Sequence, residues 1–138
     1  MSRRSHFSYI EIIIAAVVLG IAGKEITPQF TEASNNEEAK VCELVEGLEA
    51  MRAQLDLYRV QHLDRLPPDD SFTSFEIAMT TKFGQYGPYI RKIPANPFNG
   101  LDTVRFDGET AGAGKAGWRL DKRTGLFQAD NNAACASL

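Results

Sequence analysis

The sequence predicts an α+β fold in which one long N-terminal helix, a membrane half followed by an amphipathic half, packs on a small antiparallel β-sheet. Three observations carry this: an uncharged apolar run from Ile12 to Gly23, apolar residues at helical spacing from Val41 to Tyr58, and short alternating segments beyond residue 100. They divide the chain into a basic leader (1–6), a membrane-spanning helix (7–30) and a globular domain (31–138) that includes the amphipathic half of the helix.

The leader carries Arg3 and Arg4. The uncharged run alone would reach only ~18 Å as a helix, short of a bilayer core of about 30 Å. Extended from Phe7 to Phe30 it would reach ~36 Å and cross, with Lys24 and Glu25 snorkelling at the far interface. The two arginines then hold the N-terminus in the cytoplasm. Ala22-Gly23-Lys24-Glu25 is a poor signal-peptidase site, and helical pattern follows directly, so the segment reads as a retained single-pass anchor.

After Pro28, which should kink the long helix, Val41, Leu44, Val45, Leu48, Met51, Leu55 and Tyr58 recur at spacings of three and four. Glu37, Glu38, Glu43, Glu46 and Glu49 fill the other faces. Leu66-Pro67-Pro68 cannot continue a helix. A short second helix is predicted from near Ser74, with Glu76 in its first turn. Tyr86, Tyr89, Ile90, Ile93 and Phe98 make 84–100 an ordered loop rather than a linker. Asp102–Phe106 then alternates as a strand, 108–117 is Gly- and Ala-rich and reads as a flexible surface loop, and 117–120 with 126–129 reads as a hairpin.

The net charge of −3 and the lack of a basic stretch interleaved with aromatics exclude nucleic-acid binding. Cys42 and Cys135 are the cysteines. They are compatible with one disulfide across an oxidising compartment or with two unpaired small apolar side chains, and their spacing offers no zinc site. His6 and His62 sit in no nucleophile or metal motif, and no converging catalytic set is visible, so no enzymatic activity is expected.

Phe7-Ser8-Tyr9-Ile10-Glu11 resembles the start of mature type IV pilins and type II secretion pseudopilins, which commonly begin Phe-Thr-Leu-Ile-Glu after a short basic leader. Leu19-Gly20-Ile21-Ala22 and Pro28-Gln29-Phe30 match the helix that follows. More loosely, Leu57-Tyr58-Arg59, Leu66-Pro67, Tyr89-Ile90, Pro94 and Asn96-Pro97-Phe98-Asn99-Gly100 resemble the later part of major pseudopilins. The resemblance implies a pilin-like fold and prepilin peptidase cutting between His6 and Phe7, with methylation of Phe7. The family's leader normally ends in glycine; His6 stands there instead, so processing is the point at which this chain departs.

A carboxylate such as Glu11 costs about 2.5–3.5 kcal/mol at the bilayer centre on insertion scales, so it needs a partner or water. The resemblance implies that Glu11 meets the free amine of a neighbouring subunit; alternatively it stays hydrated at the cytoplasmic interface near Arg3 or Arg4. Asp107 and Glu109 lie near a loop that resembles the calcium site of major pseudopilins, yet two carboxylates fall short of six to eight oxygen ligands. No cofactor is expected, calcium being the one candidate.

The function implied is that of a structural subunit of a type II secretion pseudopilus in a bacterial inner membrane, its C-terminal domain periplasmic. It would form a filament through helix 7–30 and meet prepilin peptidase, other pseudopilins and an inner-membrane assembly platform. A type IV pilus subunit, or a membrane-tethered periplasmic binding module, are the alternatives.

Overall fold

The computed structural model describes residues 28–138, with side chains from residue 35 onward. The chain divides into two compact units, Met1–Asn36 and Glu37–Leu138. The second unit is the head. The predicted leader and most of the predicted membrane segment, with His6, Phe7 and Glu11, lie outside the described residues.

Helix α1 is Pro28–Gln61. The kink expected at Pro28 involves the residues before it and so also lies outside. Within the head, Leu44, Leu48, Met51 and Leu55 are buried, one stripe of the helix, while the intervening glutamates are exposed. Val41 was expected on that stripe but is 39% exposed. It stands about one turn before Leu44, where the stripe begins.

The helix stops before the prolines predicted to end it. Leu63 and Asp64 take left-handed conformations (φ 57° and 61°), and the Asp64 amide donates to the Arg59 carbonyl at 2.8 Å. That bond closes the C-terminus in the manner of a Schellman turn, with Leu63 where glycine is usual.

Helix α2 is Phe72–Thr80, not a helix starting near Ser74. Ser71 is its N-cap: the Ser71 hydroxyl accepts from the Ser74 amide at 3.1 Å, so the first turn forms two residues earlier and Glu76 falls beyond it. Phe75, Ala78 and Met79 face the core.

Among the described residues the strands are β1 (Val104–Arg105), β2 (Trp118–Leu120) and β3 (Phe127–Ala129), in the order β1-β2-β3. The hairpin is present: β2 pairs antiparallel with β3, Trp118 opposite Ala129 and Leu120 opposite Phe127. Its turn is built by Asp121, whose carboxylate accepts from the Arg123 and Thr124 amides at 2.9 and 3.1 Å, and by Gly125 at φ 75°. The sheet is mixed rather than antiparallel, because β1 runs parallel to β2. A parallel neighbour needs a return crossing, which the 106–117 loop supplies.

The core joins the α1 stripe to Phe75, Met79, Ile93, Val104, Trp118, Leu120 and Phe127. Trp118 is fully buried, its ring stacked near Phe127 (5.5 Å, 27°) and its indole N–H donating to the Pro94 carbonyl at 2.7 Å. Gly47 lets the indole lie on α1: a Cβ there would meet the ring at 3.3 Å. The 84–100 loop is ordered as expected, with Ile93 buried and Tyr89, Ile90 and Phe98 packed against the core; Tyr86 is half-buried.

Candidate functional site

Of the residues singled out for processing and assembly, Pro28 alone falls within the described part, as the first residue of α1. Cys42 and Cys135 do not pair: both are free thiols, Cys42 on the exposed face of α1 and Cys135 buried against β3 in the 3₁₀ turn Cys135–Ser137. Facing solvent and core respectively, the two thiols have different environments.

The most highly organised polar site in the head was not legible as one in the sequence. Asp130, just after β3, has no exposed surface. Its carboxylate accepts two hydrogen bonds from Arg105, Nε at 2.8 Å and Nη2 at 2.6 Å. It also accepts from the backbone amides of Gly112 and Ala113 on one oxygen and of Lys115 and Ala116 on the other, at 2.9–3.2 Å. Burial pushes this carboxyl up, but the Arg105 bond and the amides of Ala116 and Ala113 outweigh it and hold it below the usual carboxylate range. The Asp130 bond in turn raises Arg105, against the cost of its burial.

Arg105 reaches the loop as well. Its guanidinium pairs with Asp107 and donates to the carbonyls of Glu109 (3.1 Å) and Thr110 (2.6 Å). Lys115 and Glu109 pair across the loop. The segment that composition marks as flexible is thus wrapped around one ion pair. Its glycines serve the wrapping: Gly112 has φ 90°, and a Cβ there would lie 2.6 Å from the Ala133 amide nitrogen.

The local chemistry here bears on calcium, the one cofactor candidate. Asp107, Asp130 and two loop carbonyls form the kind of oxygen cage a hard cation seeks, but the Arg105 guanidinium lies among them and donates to each. A positive group already fills the centre, so these residues do not fit a calcium ion. Glu109, the other expected ligand, faces Lys115 instead. Among the described residues no group of three or more His, Cys, Asp or Glu side chains is placed to hold a metal.

A second buried polar residue, Asn96, fastens the 84–100 loop to the sheet. Its amide donates to the Gly117 carbonyl (2.9 Å) and Asn131 (3.0 Å), and its oxygen accepts from the Phe98 amide (3.0 Å). Asn96-Pro97 was a visible turn signal; the distant partners were not.

Two grooves flank the C-terminal end of α1. One, of about 380 Å³, is aromatic, lined by Tyr58, His62, Phe83, Tyr86 and Tyr89. His62, which sits in no nucleophile or metal motif, stacks on Tyr58 with ring centroids 3.9 Å apart. The other, of about 460 Å³, is polar and lined by Arg59, Arg65, Lys122 and Arg123 with Asp64 and Asp69. Among the described residues no helix is long and apolar enough to cross a membrane; the predicted span lies largely outside them.

No family model matches the chain, and no solved structure matches it. It is similar to type II secretion system core protein G of Pseudomonas aeruginosa, 30% identical over 107 residues, which cover 71% of this chain and 72% of the relative. A match of that extent must run well beyond the apolar N-terminal segment into the head just described. The chain therefore belongs to the pseudopilin family of the type II secretion system core protein G.

Proposed function

We propose that this protein is a structural, non-enzymatic subunit of a type II secretion pseudopilus, held in the inner membrane by its N-terminal helix and assembling through that helix to support protein export. The observation that carries the reading is the likeness to core protein G over more than two thirds of both chains. Support comes from Phe7–Glu11 and the apolar run after it, and from a head in which one long helix carries a small sheet. Small residues at Ala15, Ala16, Gly20 and Ala22 permit close helix approach. Lipid covers that surface in the monomer, and copies of the same helix cover it in the filament. The head faces the periplasm and holds its 106–117 loop with Arg105 rather than with a metal.

Processing at His6 is the decisive step. Intact mass and N-terminal sequencing of the membrane-extracted protein are expected to give a chain that begins at Phe7 and carries one added methyl group. A chain retaining residues 1–6 would have no free amine at Phe7 for Glu11 to meet, and would overturn the filament role in favour of a tethered module.

A further inference from the structure

Two groups of charges stand apart along α1. Glu38, Glu43, Glu46 and Glu49 are exposed on α1, and none makes an ion pair among the described residues. Basic side chains on the same helix are engaged elsewhere. Arg52 donates to the carbonyls of Phe127 and Leu138, and Lys40 lies over the Phe98 ring. At the other end of α1, the polar cleft has Arg59 paired with Asp64 (2.6 Å) and Lys122 with Asp69 (3.5 Å). Arg65 and Arg123 also line it and have no acidic partner there, so its cations outnumber its carboxylates. Arg59 Nε is buried with no hydrogen-bond partner. Glu43 and Arg59 are about 24 Å apart along the helix at ~1.5 Å per residue, several times the Debye length of about 8 Å in physiological salt. Even Glu49 and Arg59 are about 15 Å apart along the helix, nearly two Debye lengths, so the two charge sets neutralise each other only weakly within one chain.

We propose that the cleft of Arg59, Arg65, Lys122 and Arg123 receives the Glu38–Glu49 face of α1 from a second copy of this chain. The occupant is argued from charge complementarity: one end of the head supplies the acidic face that the other end lacks. Because donor and acceptor are different surfaces, the contact is heterologous and repeats from copy to copy without closing. It rests on the reading of the chain as a self-assembling subunit and gives the heads a register of their own, beside that of the membrane helices.

Cys42 makes the contact testable, since it is exposed among these glutamates. In full-length protein in membranes, Thr124→Cys at the cleft is expected to give a ladder of disulfides under mild oxidation, each joining Cys42 of one copy to the introduced thiol of the next. The ladder should be lost with Cys42→Ser. Arg65→Glu with Arg123→Glu should reduce it at least about tenfold, since like charges would then oppose each other. Adding Glu43→Arg and Glu46→Arg should restore it. Thermal melts of each variant establish that the head is folded. Ala16→Cys in a Cys42→Ser background reports helix packing independently. If that chain cross-links while the ladder through Cys42 is absent, or is indifferent to both charge reversals, the cleft proposal is overturned and the pseudopilus reading stands. If neither cross-links, both fall.

Discussion

Asp130 holds the 106–117 loop by accepting hydrogen bonds from Arg105 and from loop amides while fully buried. Replacing it with asparagine would take from a guanidinium, itself only 9% exposed, its buried charge partner and leave it the half-exposed Asp107 alone. Breaking such a buried pair costs about 3–5 kcal/mol, so Asp130→Asn should lower the urea midpoint sharply. The pH dependence follows from the same bonds. The folded carboxyl lies below its unfolded value, so its stabilisation is fully present above about pH 4 and is lost as pH falls through the folded value. Acid unfolding should therefore be less steep in Asp130→Asn than in the parent. Because Arg105 fills the oxygen cage, calcium and EDTA should leave the thermal midpoint of the head unchanged; a rise of several degrees with calcium would contradict the geometry. Nothing in the sequence near Asp130 marks it. Its partners lie 14 to 25 residues away, and only the pairing of β1 and β3 on either side of β2, with the loop folded back, unites them.

Elements show where local signals suffice. The α1 stripe and the β2–β3 hairpin were legible because helical spacing and an Asp–Gly turn act within a few residues. The start of α2 was placed late because Ser71 and Ser74 are both capable caps. What selects between them is that Ser71 Oγ takes the Ser74 amide while Ser74 Oγ is occupied by the Asp70 carboxylate. Leu63, exposed and left-handed at the end of α1, is a local conflict. A left-handed conformation costs a non-glycine residue about 1–2 kcal/mol, part of which glycine returns as entropy of the unfolded chain. Leu63→Gly should therefore stabilise the head by about 0.5 kcal/mol, read as a small upward shift of the thermal midpoint. A decrease would mean that Leu63 makes a packing contribution that its exposure conceals.

For the whole molecule, membrane retention and assembly should be separable from head stability. Glu11→Leu makes the N-terminal segment more apolar, so the protein should stay in the membrane. Losing the carboxylate should abolish assembled filaments in membrane extracts while the thermal midpoint of the head is unchanged. Loss of head stability would instead tie residue 11 to the fold. Sequence alone was enough for the long amphipathic helix, the α+β class and the family resemblance, since these depend on hydropathy and periodicity along continuous segments. Tertiary structure decided the direction of β1 and the free state of Cys42 and Cys135. It also placed a guanidinium where a metal was considered and brought Arg59 and Arg65 together with Lys122 and Arg123 into one cleft. Each of these depends on residues far apart in the chain, whose meeting is set by how the helix and sheet pack rather than by any local preference.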